Sequence, residues 1–319
     1  MPSPNSTFTE LVTTTLREHP AVIADNVSDH NALYRRLKTN KKIKVIDGGN
    51  SIVRPLDYAE NGTFQRFSMY DTLNVGASDV LSAAEFNWVN SAIHITAAGE
   101  ELRKNAGSNR ILDLAKGRTR NGIRTAANNM SVDMYSSGSL TNQMGGLAHI
   151  ISTDGTGTVG GINSGTDTFW ANQFYEAPTA PSKTTMKQHM QTLWLRLVRG
   201  ADKPDLIVSS HDFFGFYWDG LTDNQRYASS DEATLGFQSL KFVTADVIFD
   251  NNSNFSTTAE KMYFLNTEYL ELVEHRDARW SQLDEKMSVN QDAVVIPLIW
   301  MGQMVCSNRS LQGVLIDAT

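Results

Sequence analysis

The chain has 319 residues, of which 40% are hydrophobic and 20% are charged, and this balance excludes an intrinsically disordered, collagen-like or coiled-coil protein. Its 28 basic and 35 acidic residues give a net charge of −7, which argues against a protein whose whole surface binds phosphate groups. The single cysteine, Cys306, excludes an intrachain disulfide bond and a metal site built from several cysteines, and it is typical of a reducing compartment.

The polar N-terminal region, residues 1–41, predicts an arm rather than a self-contained domain. Apolar residues recur at helical spacing from Phe8 to Leu16, and a second short helix is predicted from Asp29 to Lys38. We expect this arm to need a surface outside itself on which to pack.

The chain shows no targeting or membrane segment. Its first residues lack the basic and apolar regions of a signal peptide, so secretion is not expected. No apolar run approaches the roughly 18 residues that a membrane-spanning helix requires, so no membrane partner is expected.

An extended hairpin is predicted from residue 42 to residue 92. The pattern changes to strand periodicity after Lys42, and the Asn61–Gly62 pair is a typical turn signal between extended runs. Phe64 and Phe67 follow this turn, yet the ribbon has too few apolar residues to bury both of its faces, and two strands alone are marginally stable. Either a later part of the chain completes a sheet with the ribbon, or the ribbon docks on a neighbouring subunit. In the second case Asn61, Gly62, Phe64 and Phe67 are the candidate contact residues.

A long helix is predicted from Ser108, a good N-cap residue, to Tyr135. It is unusually long, because the average helix has about 11 to 12 residues. One face carries Arg118, Arg120 and Arg124. This basic face is either solvated or in contact with nucleic acid.

The rest of the chain mixes helices and strands without a regular alternation. A region rich in Gly, Ser and Thr at residues 140–181 precedes a helix that Ser182 is expected to cap and Gly200 to end. The elements expected after it are a helix at 213–218 and strands at 205–210, 240–243, 247–249, 261–265, 269–273, 293–300, 304–306 and 313–316. This order predicts an α+β fold rather than a doubly wound parallel sheet.

No motif predicts a catalytic residue, a cofactor site or a metal site. Residues 155–160 match the glycine spacing of a dinucleotide-binding loop, but the residues after them cannot start the helix that would hold a pyrophosphate, so a loop is expected. Asp250 begins an imitation of a calcium loop, but Phe255 stands where glycine must turn. Cys306 lies among apolar residues and is expected to be a small buried side chain.

Several stretches, taken in order, resemble those of one known family. They are the arm, the extended hairpin, the long helix, the sequence Leu-Thr-Asn-Gln-Met-Gly-Gly-Leu at residues 140–147, and C-terminal stretches at residues 204–217, 263–270 and 307–315. None of them is specific alone, and their order and spacing over roughly residues 20–319 carry the resemblance. On these residues the chain resembles the tailed-bacteriophage major capsid proteins of the Hong Kong 97-like fold.

The resemblance implies a division of the chain and a function. The implied parts are an N-terminal arm (1–41), an extended loop (42–92), a peripheral domain with a spine helix (93–139), an axial domain (140–260), a second peripheral segment (261–300) and a return to the axial domain (301–319). Copies are expected to assemble in the host cytoplasm as pentamers and hexamers of an icosahedral shell, the virion capsid, which carries a portal and encloses double-stranded DNA. Family spine helices lie on the inner side, so Arg118, Arg120 and Arg124 are candidate non-specific DNA contacts.

Two features depart from some members of that family. Some relatives join subunits by an isopeptide bond from a lysine on the extended loop, but no lysine lies between Lys44 and Lys104. A non-covalent shell is therefore expected, strengthened by buried area or by a separate decoration protein, and boiled denaturing gels should show no covalent ladders. Only about forty residues precede the hairpin, so a separate scaffolding protein, or none, is expected.

Two other functions stay open at this stage. A shell of the same fold would hold cargo enzymes in an encapsulin-like nanocompartment, and neighbouring genes would distinguish it from a virus. A dinucleotide-binding enzyme that uses residues 155–160 is the alternative from another class, and binding of NAD or FAD to a purified monomer would identify it.

Overall fold

The structure, a computed structural model, describes residues 32–76, 79–104, 114–221, 240–250, 261–283, 286–287 and 292–317. The predicted helix from Phe8 to Leu16 and the predicted N-cap Ser108 lie outside these residues. The chain divides into two compact units. Within the described ranges, the smaller unit contains residues 90–131 and 277–301, and the larger unit contains residues 32–89, 132–276 and 302–319.

Helices and strands alternate irregularly along the described chain, which confirms the α+β prediction. The helices are α1 (Ala32–Thr39), α2 (Gly99–Lys104), α3 (Leu114–Met134), α4 (Leu147–Ile150), α5 (Met186–Leu197) and α6 (His211–Asp219). The strands are β1 (Ile43–Ile46), β2 (Ile52–Asp57), β3 (Leu81–Phe86), β4 (Val89–Ala98), β5 (Thr158–Val159), β6 (Ile162–Asn163), β7 (Gln173–Ala177), β8 (Leu206–Ser209), β9 (Leu240–Phe242), β10 (Ala245–Phe249), β11 (Lys261–Leu265), β12 (Leu270–Gln282), β13 (Lys286–Met287), β14 (Ala293–Cys306) and β15 (Gly313–Asp317).

A six-stranded mixed sheet forms the core of the larger unit. Its strand order is β7-β15-β11-β8-β10-β9, with β7 parallel to β15, β8 parallel to β10 and β11 antiparallel to both of its neighbours. Ile207, Val247 and Phe264 lie opposite one another in the ladders and pack with α5 and α6 in one apolar cluster. Because each large apolar side chain contributes about 1.5–3 kcal/mol when it is buried, this cluster contributes substantially to the stability of the unit.

Helix α5 has the apolar stripe that the sequence predicts. The predicted residues are all buried: Met186, Met190, Leu193, Trp194 and Leu197. The chain leaves the helix before Gly200, which has a φ of +60°. The prediction that Ser182 caps the helix is wrong, because the helix begins at Met186 and Thr185 occupies the N-cap position.

Strand β1 corrects the predicted hairpin. A strand, a turn and a second strand form around residues 47–50, but the two strands do not pair with each other. Instead β1 lies parallel to β12, with Ile43 opposite Leu272. Gly48, with a φ of +142°, lies in the turn that leads to β2. The antiparallel ribbon therefore begins at β2 and not at Lys42.

The ribbon consists of strands β2 and β3 alone. Ile52 lies opposite Phe86 at one end, and Asp57 lies opposite Leu81 at the other. Strand β3 ends at Phe86, and the next strand, β4, begins at Val89. Strand β4 belongs to the smaller unit.

The smaller unit contains β4, α2, β13 and most of α3, together with parts of β12 and β14. Strand β14 pairs with β4 and is antiparallel to β13. Gly122 lets α3 approach β4 closely, since a Cβ atom there would lie 3.1 Å from the Ile95 side chain. The rings of Trp280 and Trp300 stack with centroids 6.2 Å apart.

Residues 155–164 form a short hairpin, which we call the glycine hairpin. Its strands β5 and β6 are joined by Gly160 and Gly161, whose φ angles of +60° and +78° are the left-handed values of a tight hairpin turn. The expected loop thus contains a small hairpin. A helix, which a dinucleotide-binding loop would need at this point, does not follow the motif.

Candidate assembly surface

An exposed apolar segment follows strand β2. Its large apolar side chains are at least half exposed: Phe64 (81%), Phe67 (68%), Met69 (89%), Tyr70 (96%), Leu73 (50%) and Val75 (92%). We call these six residues the apolar tip. Monomeric soluble proteins rarely expose so many apolar side chains together, and such patches mark contact surfaces.

Asn61 and Gly62 lie in a local turn just before the apolar tip. The Asn61 Oδ1 atom accepts hydrogen bonds from the backbone N–H of Thr63 at 3.0 Å and from its hydroxyl group at 2.8 Å. The expectation that this pair turns the chain between two paired strands is wrong, because the next strand, β3, begins only at Leu81. The turn instead orients the start of the apolar tip.

Side-chain hydrogen bonds hold the segment that contains the apolar tip. Gln65 bridges it, because its Nε2 donates to the Thr72 carbonyl at 3.0 Å and its Oε1 accepts from the Asn74 N–H at 3.3 Å. Phe64 and Phe67, which were expected in an extended run, lie on this loop. Their prediction as contacts to a neighbouring subunit stays a prediction.

The base of the ribbon, unlike the apolar tip, is buried within its own unit. The cluster at the base draws on β2, β3, the glycine hairpin and later strands: Ile52, Leu56, Ala84, Phe86, Val159, Trp170, Val273 and Val305. The Glu85 N–H donates to the Gly160 carbonyl at 2.9 Å, so the glycine hairpin extends the hydrogen bonding of the ribbon edge. Arg54 on β2 also forms an ion pair of 2.5 Å with Glu271 on β12.

Gly160 allows the ribbon to lie close to the glycine hairpin. A Cβ atom at Gly160 would lie 2.8 Å from the Ala84 Cβ, which is too short for two carbon atoms, and 3.1 Å from the Phe86 ring, which is a tight contact. A Cβ atom at Gly161 would have no atom within 4 Å. The sequence motif therefore has a packing role at Gly160, where it faces the ribbon.

Arg309 holds the glycine hairpin in place. This fully buried guanidinium donates to three backbone carbonyls and two hydroxyl groups: Ile150 O at 2.5 Å, Ser164 Oγ at 2.9 Å, Ser152 Oγ at 3.0 Å, Thr156 O at 3.0 Å and Trp170 O at 3.5 Å. Burial lowers the pKa of Arg309, and burial and the Arg309 charge together lower the pKa of His149. Nothing in the sequence pattern distinguished Arg309 from an ordinary surface arginine.

Polar contacts anchor helix α1 to the sheet of the larger unit. Arg36 lies 3.3 Å from a carboxylate oxygen of Asp246 and 3.6 Å from one of Asp205. The Asn40 Nδ2 donates to Thr267 Oγ1 at 2.9 Å. Of these residues, Asn40, Asp205 and Thr267 border a cleft of about 470 Å³.

The three arginines proposed to contact DNA all lie on α3. The side chains of Arg118 and Arg120 are outside the described part of the structure, and Arg124 is half-buried. A contact between this helix and DNA stays a prediction.

Cys306 is fully buried in β14, as the sequence predicts, and burial raises the pKa of its thiol to about 12. Among the described residues, no three His, Cys, Asp or Glu side chains come close enough to hold a metal ion. No helix in the described ranges is both long and apolar enough to cross a membrane.

The fold resembles solved capsid structures over nearly its full length. The chain matches a subunit of the cyanophage A-1(L) capsid asymmetric unit with a TM-score of 0.67 and 13% identity, over 93% of this chain and 95% of that one. It matches a subunit of the capsid of the native GTA particle (TM-score 0.57, 11% identity, 88% and 89% covered). It also matches a chain of Mycobacterium phage Ogopogo (TM-score 0.56, 8% identity, 96% and 99% covered). No family model and no curated protein sequence matches the chain. The chain therefore has the Hong Kong 97-like fold of phage and GTA capsid proteins.

Proposed function

We propose that the chain is a major capsid protein. Its copies assemble as pentamers and hexamers of an icosahedral shell that encloses double-stranded DNA. The apolar tip carries the proposal, because it is an apolar surface that the described part of the chain leaves exposed. The solved structures that share the fold include a cyanophage capsid and the capsid of a GTA particle, which supports the proposal of a capsid function.

Different parts of the fold would have different roles in such a shell. The ribbon and the apolar tip act as the extended loop that reaches a neighbouring copy, and α3 acts as the spine helix. The six-stranded sheet and its helices belong to the axial domain. A portal is the further partner that this role implies.

Burial of the apolar tip would contribute substantially to assembly. At about 1.5–3 kcal/mol for each large side chain, burial of Phe64, Phe67 and Tyr70 alone supplies roughly 5–9 kcal/mol per subunit before the entropic cost of association. The same side chains contribute little to the stability of a lone chain, because they are exposed in it.

Substitutions in the apolar tip test the proposal. The triple variant Phe64→Ser, Phe67→Ser and Tyr70→Ser should form no shells in electron micrographs and should sediment as small species. Its thermal unfolding should match that of the unaltered chain at the same subunit concentration under conditions that prevent assembly. The matched control, Phe64→Leu, Phe67→Leu and Tyr70→Phe, keeps the surface apolar and should still assemble. Normal shells from the serine variant would contradict the proposal.

A further inference from the structure

An asparagine followed by a glycine can modify itself, and the chain contains two such pairs. Glycine has no Cβ atom, so its backbone nitrogen can approach the side-chain carbonyl carbon of the preceding asparagine with little hindrance. Asn61–Gly62 lies in the exposed turn before the apolar tip, whereas Asn121–Gly122 lies within α3. The two pairs therefore present the same chemistry in different backbone settings.

The turn at Asn61 places two hydrogen-bond donors on the atom that would gain negative charge. The Asn61 Oδ1 accepts from the Thr63 N–H at 3.0 Å and from the Thr63 hydroxyl at 2.8 Å. When a nitrogen attacks the carbonyl carbon, charge develops on this oxygen. Donors already aimed at the oxygen stabilise that transition state, as they do in an oxyanion hole.

We propose that Asn61 is a self-modification site that converts to aspartate and isoaspartate in the folded chain. Hydroxide removes the proton of the Gly62 amide, and the Gly62 nitrogen forms a bond to Asn61 Cγ. The bond from Cγ to the side-chain nitrogen then breaks, and that nitrogen takes a proton from water and leaves as ammonia. Water opens the resulting cyclic imide. Cleavage at Cγ gives aspartate, and cleavage at the backbone carbonyl carbon gives isoaspartate, so water is the only reactant that the step consumes.

The helical pair Asn121–Gly122 should be far less reactive. In a helix the amide N–H of each residue donates to the carbonyl four positions earlier, so the Gly122 nitrogen is held away from the preceding side chain. The Asn121 backbone carbonyl also accepts a hydrogen bond from the Thr125 hydroxyl at 3.0 Å. The Asn121–Gly122 pair is therefore an internal control for the reaction at Asn61.

Conversion would change the segment that leads into the apolar tip. Both products place a negative charge where the amide was neutral, next to the exposed Glu60, and isoaspartate lengthens the main chain by one carbon atom. That this alters contact with a neighbouring copy rests on the proposed function. The modification itself does not, because it occurs in the unassembled chain.

Peptide mass spectrometry of the purified, unassembled full-length chain tests the proposal. During incubation, the Asn61 peptide should accumulate aspartate and isoaspartate at least about tenfold faster than the Asn121 peptide, and the difference should disappear in denaturant. Because hydroxide starts the reaction, the rate should rise with pH. A slower rate at Asn61 in the folded chain than in the denatured chain would overturn the proposal.

Matched variants isolate the contribution of the turn. Thr63→Val removes the hydroxyl donor and should slow conversion of Asn61 about fivefold. Thr72→Val makes the same change elsewhere in the segment and should leave the rate unchanged. Gly62→Ala should slow conversion at Asn61 without affecting Asn121. Equal rates in Thr63→Val and the unaltered chain would show that the turn does not promote the reaction.

Discussion

Replacing Gly160 with alanine should disturb the packing of the ribbon base, and Gly161→Ala provides a matched control. Both glycines have left-handed φ angles, +60° and +78°, so an alanine costs about 1–2 kcal/mol of backbone strain at either position. Only the Gly160 Cβ would meet the ribbon, 2.8 Å from Ala84 and 3.1 Å from Phe86. Such overpacking costs about 1–3 kcal/mol more. The free energy of unfolding should therefore fall by about 2–5 kcal/mol in Gly160→Ala and by about 1–2 kcal/mol in Gly161→Ala.

Urea unfolding of the unassembled chain measures both changes, and hydrogen exchange at the Glu85 amide reports on the ribbon edge directly. In the Gly160→Ala background, Ala84→Gly removes the nearest atom of the ribbon. The double-mutant cycle should then return about 1 kcal/mol or more as favourable coupling. Equal destabilisation by the two glycine substitutions, or the absence of coupling with Ala84, would refute the packing argument.

Three further outcomes are expected. Arg309→Met leaves several buried carbonyl and hydroxyl oxygens without their donor and should lower the free energy of unfolding by about 3–5 kcal/mol, measured by urea unfolding; a change below about 1 kcal/mol would contradict this. Serine at Arg118, Arg120 and Arg124 should reduce the nuclease-protected DNA in each particle more than the yield of empty shells, because phosphate contacts are lost; if neither quantity changes, this helix face is only solvated. The thiol of Cys306, whose pKa burial raises to about 12, stays protonated at neutral pH, so a thiol reagent should label it only after denaturation; equally fast labelling of the folded chain would show that it is accessible.

Sequence patterns predicted the elements that depend on residues close together in the chain. Strand β11 has the predicted bounds, because five consecutive residues of strand type are buried or half-buried between two neighbours. The α5 stripe was equally clear, because helical spacing alone places its apolar residues on one face. In both cases the pattern depends on residues close together in the chain.

Partners distant in sequence could not be predicted in this way. Strand β1 pairs with β12 in the C-terminal half, and no local period indicates that partner. Gly160 must be glycine because Ala84 and Phe86 approach it, and Arg309 is needed because its acceptors lie on another loop. The run of glycines at residues 155–160 predicted a loop, but it carried no information about the hairpin within that loop or the surface on which it packs.

Because β15 is near the C-terminal end of the chain, its position in the sheet affects how the polypeptide can fold during synthesis. This strand lies between β7 and β11, although it is synthesised after both of them, and Arg309 is likewise made after the glycine hairpin that it holds. A nascent chain on the ribosome cannot close the sheet or order the ribbon base until nearly all of these residues have emerged. Unfinished polypeptides therefore lack the completed sheet and the ordered ribbon base.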